Sequence, residues 1–312
     1  MTATLAIGPY NASERPALEE TFQAHIVANA TEAGALEAAT RDGIKAIAYK
    51  GHLPFGAAEM DLFPNLGVIA NYVVGYDAID VAAASARSIK VTNTPDVLND
   101  DVADLAIAMW ISQGREMRQA EAWVRDGNWA TKGDYRLNRK VSASKVGVMG
   151  MGRIGRDIAD RLAAFKTEVH YHSRSEKQTP GWTYHADPVS LAKAVDFLFV
   201  ALVGGAATQN FVSKDVIAAL GPRGVLINIS RGSTVDEEAL LDALENGTIA
   251  GAGLDVFVGE PKINPRFLTL DNVVLQPHQG SGTVETRAAM AKLQRDNVAA
   301  HLAGAPLLTP VN

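Results

Sequence analysis

The sequence predicts an α/β protein made of two doubly wound parallel sheets. Three observations carry this expectation. Short β-branched or apolar runs alternate with amphipathic helical stretches along the chain. The runs are near-continuous in apolar residues, as strands covered on both faces are. They also fall into two series separated by long helical patterns, which suggests two such units.

The first series contains 4–7 (TLAI), 25–28 (HIVA), 44–49 (IKAIAY), 67–74 (GVIANYVV) and 90–93 (KVTN). The second contains 145–150 (KVGVMG), 168–172 (EVHYH), 196–202 (DFLFVAL), 224–230 (GVLINIS), 251–257 (GAGLDVF) and 272–276 (NVVLQ). Helical patterns fill the gaps. No Gly/Ser-rich linker joins the series; a long helical pattern at 100–117 (DDVADLAIAMWISQGREM) and a further one ending WVRDGNW at Trp129 stand there instead. DIADRLAAF follows Arg156, and EEALLDALENG closes in Asn-Gly, a suitable left-handed stop. VETRAAMAKLQRDNVAAHL supplies the last helix.

The 312 residues are enough for about two domains. Apolar residues at 47% and charged residues at 21% are ordinary for a soluble globular protein, so a sizeable core needs no staples. The absence of cysteine excludes disulfides, thiolate metal sites and cysteine nucleophiles, and is compatible with a reducing cytoplasm. A charge of −6 without a basic block argues against nucleic-acid partners. The start, MTATLAIGPY, lacks the pattern of a signal peptide, and the most apolar stretch, 195–207, is too short and too interrupted to span a bilayer. The seven histidines show no metal-ligand spacing, so no metal is expected.

The strongest local motif is VGVMGMGRIGRDIA, a GxGxxG pattern between a strand and a helix. Gly150 suits the tight turn, Gly152 lets backbone approach a pyrophosphate, and Gly155 permits close helix–sheet packing. Free N–H groups at the helix start, at Arg153 and Ile154, attract the anion. About 20 residues on, where an acid would hold the adenine ribose of NAD, the chain has His172, Ser173, Arg174 and Ser175. A carboxylate there would repel a 2′-phosphate, whereas a guanidinium fork and hydroxyl donors suit it. The cofactor expected is therefore NADP, with NADPH preferred over NADH; an ordinary solvated loop is the plainer alternative.

Three further strand ends carry Arg231 (NISRGS), Glu260 (GLDVFVGEP) and His278 (QPHQGSG). Ligands of open parallel sheets sit outside the carboxyl ends of the strands. Arginine can hold the carboxylate of a 2-keto acid and polarise its carbonyl. Histidine can donate the proton as hydride reaches the carbon. Glutamate beside it would favour the imidazolium and orient the ring. Each residue alone has an ordinary structural explanation; their occurrence together, downstream of the glycine turn, favours catalysis.

These stretches, with VVGYDAID (73–80) and NTPDVLNDDVADLAIA (93–108), resemble the D-isomer-specific 2-hydroxyacid dehydrogenase family from about Ala46 to the last helix. The resemblance implies two Rossmann-like or flavodoxin-like domains, the cofactor domain (99–282) being inserted into the substrate domain (1–98 and 283–312). It implies that Arg231, Glu260 and His278 are catalytic, that Asp255 lies near the nicotinamide carboxamide, and that backbone N–H groups of Val74 and Gly75 hold the substrate carboxylate. WVRDGNW with YRL, the glycine turn and YHSRS is most similar to NADPH-dependent glyoxylate/hydroxypyruvate reductases within the family. That implies reduction of glyoxylate or hydroxypyruvate, domain closure over the substrate, and a homodimer joined through 100–117.

The chain departs from the family pattern in two places. VGGAATQN, free of proline, replaces the usual turn after DFLFVAL, and Gln279 stands where an apolar residue is common. Lys50-Gly51-His52 reads as a solvated strand end, with no catalytic role for His52. A formate dehydrogenase would carry glutamine in place of Glu260. A dehydrogenase for a larger 2-keto acid, and a non-catalytic dinucleotide-sensing interaction protein, are the remaining alternatives.

Overall fold

The computed structural model describes residues 2–312. The chain divides into two compact units: one runs to Leu98 and resumes at Thr283–Asn312, and the other is Asn99–Gly282.

The first unit holds a five-stranded sheet of β1 (Thr4–Ile7), β2 (His25–Val27), β3 (Ala46–Tyr49), β4 (Val68–Asn71) and β5 (Lys90–Thr92). The order is β2-β1-β3-β4-β5 and every pair is parallel. β1, β3 and β4 are buried at every position, because helices cover both faces of the sheet. The helix Val284–Leu302 packs on β3 and β4. Its Gln294, almost fully buried, donates to the carbonyls of Tyr49 (3.1 Å) and Ala70 (2.8 Å) at the strand ends. The tail then closes the β5 edge: Val311 N–H donates to Val91 O, and Thr92 bridges Pro310 antiparallel.

The second unit holds seven parallel strands: β6 (Lys145–Met149), β7 (Glu168–His172), β8 (Thr183–His185), β9 (Phe197–Val200), β10 (Val225–Asn228), β11 (Gly251–Leu254) and β12 (Val273–Leu275). Their order is β12-β11-β10-β9-β6-β7-β8, so the direction of winding reverses at β6. In sheets with such a reversal, ligands bind beyond the carboxyl ends of the strands on either side of it, here β6 and β9. Trp110, fully buried on the helix Asn99–Gly114, meets Phe165, Phe197 and Phe199 at ring distances of 5.1, 5.8 and 6.1 Å.

Three local differences from the sequence reading have physical causes. β8 was not expected; its residues TYH are only half-buried or exposed, so they leave no apolar run. The 100–117 pattern does not form one helix. It ends at Gly114, and Glu116 adopts a left-handed conformation (φ 48°) before a new helix at Met117–Arg125. The WVRDGNW segment breaks again at Gly127 (φ 69°), leaving Trp129 inside a short helix, Asn128–Lys132.

Candidate active site

Each glycine of the turn after β6 has its own geometry. Gly150 sits at φ 102°, and a Cβ there would lie 2.5 Å from Ala201 O. A Cβ on Gly155 would lie 1.9 Å from Gly150 O, so the helix Arg153–Ala164 can approach the strand only as glycine there. Gly152 is the contrast: nothing stands within 4 Å of its Cβ position, and its extended backbone caps the helix without a side-chain acceptor. Arg153 and Ile154 open this twelve-residue helix directly after Gly152.

β7 ends at His172, whose ring is buried; Nδ1 meets His185 O at 2.9 Å and the ring packs on Phe211. His172 thus ties β7 to β8, while Ser173, Arg174 and Ser175 continue into an exposed loop. Two tyrosines anchor that loop. Tyr171 hydroxyl donates to Lys177 O (3.0 Å) and accepts from Lys177 N–H (2.8 Å), and Tyr184 hydroxyl donates to Ser173 O at 3.3 Å. Ser173 Oγ donates to Ser175 O (2.6 Å), and Lys177 Nζ lies 3.3 Å from Ser175 Oγ. Lys177 adds a cation beside Arg174 that the sequence reading passed over; Glu176 between them is an acid. A buried tyrosine on β7 was the available signal, but its partner lies six residues on in irregular chain.

Arg231 follows β10. Its carbonyl accepts from Asn228 Nδ2 (3.1 Å), Thr234 Oγ1 (2.7 Å) and Thr234 N–H (3.2 Å), and its Nη1 donates to Ser230 O at 2.8 Å. Gly232 lets this turn press on the end of β11: a Cβ there would meet the Phe257 backbone at 2.0 Å.

Asp255, at the end of β11, is almost fully buried. Burial raises its carboxyl pKa, opposed by N–H bonds from Gln279 (2.6 Å) and Gly280 (2.8 Å). Its carbonyl also accepts from His278 N–H at 2.9 Å. Asp255 therefore holds the 278–280 turn, in which His278 adopts a left-handed conformation (φ 56°). Glu260 uses both oxygens. Oε1 accepts from Phe257 N–H at 2.7 Å, and Oε2 lies 2.7 Å from His278 Nδ1. The structure thus pairs Glu260 with His278, side chains 28% and 31% exposed, beyond the ends of β11 and β12, with Arg231 beyond neighbouring β10. Among the described residues no group of three or more His, Cys, Asp or Glu is arranged to hold a metal ion.

In the first unit, Val74 and Gly75 lie in the half-buried loop after β4. Lys50 is not a solvated strand end: its ammonium contacts Glu14 at 2.6 Å and lies 4.5 Å from the Tyr72 ring centre, with both charged side chains largely buried.

Comparison with known proteins is consistent across the chain. A family description, D-isomer specific 2-hydroxyacid dehydrogenase, NAD binding domain, matches residues 107–280. Hydroxyphenylpyruvate reductase of Plectranthus scutellarioides is 44% identical over 270 residues, 86% of each chain. The structure of a 2-hydroxyacid dehydrogenase from Ketogulonicigenium vulgare Y25 superposes with a TM-score of 0.92 at 50% identity, covering 100% of this chain and 99% of that one. The NADPH-dependent glyoxylate/hydroxypyruvate reductase of Sinorhizobium meliloti, in complex with NADP and malonate, gives 0.93 at 45% identity, covering 100% and 97%. With a nucleotide-binding turn, seven parallel strands and this extent of similarity, the chain belongs to the D-isomer-specific 2-hydroxyacid dehydrogenase family.

Proposed function

We propose that this oxidoreductase reduces small 2-keto acids, glyoxylate and hydroxypyruvate, to the corresponding 2-hydroxy acids (the D-isomer where the product is chiral), with NADPH preferred over NADH. The observation that carries the reading is the 2.7 Å contact between His278 Nδ1 and Glu260 Oε2 at the strand ends where such sheets bind ligands. Bound NADPH would supply a hydride to the carbonyl carbon. In its doubly protonated form His278 delivers the Nε2 proton to the carbonyl oxygen, while Glu260 accepts from Nδ1–H and orients the ring. Arg231 polarises the carbonyl and neutralises the carboxylate. Val74 and Gly75 contribute N–H donors to that carboxylate. Gly150, Gly152, Arg153, Ile154 and Gly155 seat the pyrophosphate, and Asp255 meets the carboxamide end.

The cofactor preference rests on Ser173, Arg174 and Ser175, with His172 shaping the loop from beneath. Following absorbance of reduced cofactor with glyoxylate, hydroxypyruvate and pyruvate in turn tests both parts. A higher kcat/KM with NADPH is expected. Arg174→Ala should cut the NADPH value by roughly ten- to a hundredfold, the worth of a charged hydrogen bond, and leave NADH nearly unchanged. Equal or better kcat/KM with NADH for the parent protein would overturn the preference, and no turnover with any 2-keto acid would overturn the activity. A larger substrate is the second reading, since one relative is a hydroxyphenylpyruvate reductase; a higher kcat/KM with an aryl pyruvate would favour it.

We also infer a homodimer through the outer face of the helix Asn99–Gly114. A groove of about 420 Å³ there is lined by Leu105, Ala108, Met109, Met117, Val274 and Gln276. Met117 and Leu137, which also line a neighbouring groove, are 53% and 98% exposed, a costly surface for a lone chain. Light scattering should give twice the chain mass, and Met117→Glu should shift the population toward monomer; a monomeric parent protein would end this reading.

A further inference from the structure

The loop after β4 is held in an unusual way. Asn71, the last residue of β4, is 2% exposed, and its amide nitrogen donates to two loop carbonyls, Val73 O at 2.9 Å and Gly75 O at 2.8 Å. Asn93, just past β5 and 9% exposed, donates to the carbonyl between them, Val74 O, at 2.8 Å. Thr94 adds its hydroxyl to Tyr72 O at 2.9 Å and its N–H to Val73 O at 3.4 Å. Asn93 is itself fixed on both sides of its peptide, accepting from Thr309 Oγ1 (2.6 Å) and donating N–H to Thr309 O (3.3 Å).

In a trans peptide the C=O and the following N–H point in opposite directions. Tying back the carbonyls of Val73, Val74 and Gly75 therefore turns the N–H groups of Val74, Gly75 and Tyr76 away from the two asparagines. Among the described residues, none accepts a hydrogen bond from these three N–H groups. Half-buried backbone donors are rarely left unsatisfied, and successive aligned N–H groups make an anion site. A buried carboxamide that spends both its N–H bonds on one loop fixes peptide orientation rather than filling space.

We propose that Asn71 and Asn93 are positioning residues that set the peptide planes of the 73–76 loop, so that the N–H groups of Val74, Gly75 and Tyr76 form the receptor for the substrate carboxylate. This rests on the reading that the loop holds that carboxylate, and it adds Tyr76 N–H as a third donor. Neither asparagine touches the substrate. The clamp pre-organises the donors, so its loss should weaken ground-state and transition-state binding of the carboxylate together and leave the cofactor unaffected.

The test uses the full chain with saturating NADPH and two variants, Asn93→Ala and Asn71→Ala. For each, the KM for glyoxylate, the KM for NADPH, kcat and inhibition by oxalate are measured. Methyl glyoxylate, which lacks the carboxylate charge, serves as a second substrate. A roughly tenfold or greater rise in glyoxylate KM is expected, the worth of a mispositioned charged hydrogen bond, with oxalate inhibition weakened in parallel. NADPH KM and kcat should stay within about twofold, and the preference for glyoxylate over its ester should shrink. Unchanged glyoxylate KM overturns the proposal, as does a loss shared equally by NADPH. If the parent protein shows no preference for the acid over the ester, the carboxylate reading itself fails. If the preference is present and survives in the variants, only the clamp fails. Should Asn71→Ala not fold, Asn93→Ala, which removes a single bond at the loop, decides the question.

Discussion

Replacing His278 by alanine should lower kcat for a 2-keto acid by about 10²–10⁴-fold, the usual contribution of a positioned acid–base group. The expectation rests on a proton inventory. Reduction of a carbonyl needs a hydride and a proton, and the paired imidazole beyond β12 is placed to give the second. The backbone conformation complicates the choice of variant, because His278 has φ 56° and alanine is strained there. His278→Asn is therefore the better companion, since asparagine tolerates the left-handed region and carries no transferable proton. Both variants should lose the rate and keep NADPH affinity, and His278→Asn should melt near the parent temperature. Glu260→Gln should also lower kcat, for a reason visible in the bonds. The carboxylate satisfies Phe257 N–H with one oxygen and His278 with the other, and an amide has only one acceptor. One partner then faces an N–H₂ group, and the ring loses its orientation. The double variant should be no worse than His278→Ala alone, because the two act as a unit. Near-normal turnover of His278→Asn in steady-state assays would remove it from the mechanism.

The legibility of this chain follows the physics of burial. Fully buried strands such as Ala46–Tyr49 and Phe197–Val200 read directly from the sequence, because a doubly covered sheet demands unbroken apolar runs. The helix Val284–Leu302 was also plain, and the Asn-Gly stop after Glu237–Glu245 matches Gly247 at φ 66°. What was illegible depended on partners distant in sequence. β8 is an edge strand with little to bury. The break at Glu116 puts a good helix former into a left-handed conformation, which local propensity argues against.

The site divides in the same way. The glycine turn was legible because backbone approach leaves no substitute: a side chain on Gly155 would collide with Gly150 O, and one on Gly150 with Ala201 O. Polar residues that act by holding backbone were not. Asn71 and Asn93 look like a strand end and a connecting residue until the loop between β4 and β5 folds back across them. Tyr171 looks like core until its hydroxyl is seen to pin Lys177. His172 was read as part of the phosphate cluster from its position alone, whereas its ring is spent on the β8 backbone. A sequence displays which side chains carry charge, but the supports that aim them emerge only when distant segments meet.

Arg231→Lys should reduce kcat/KM for the 2-keto acid by roughly 10²–10³-fold, comparable to losing one preorganised donor at a developing oxyanion. Charge is conserved in this substitution, so the loss isolates geometry. The Arg231 backbone is clamped by Asn228 and Thr234, and one arm of its guanidinium is spent on Ser230 O. A planar fork anchored at Ser230 O is held in a fixed plane, which suits a carboxylate and the adjacent carbonyl together. An ammonium has no plane to fix; it would keep the attraction for the carboxylate and forfeit directional polarisation of the carbonyl. The substitution should therefore weigh more on kcat than on the KM of the acid. Stability should change little, because the backbone clamp involves the Arg231 carbonyl rather than its side chain. A change confined to the KM for NADPH would reassign Arg231 as a nucleotide ligand.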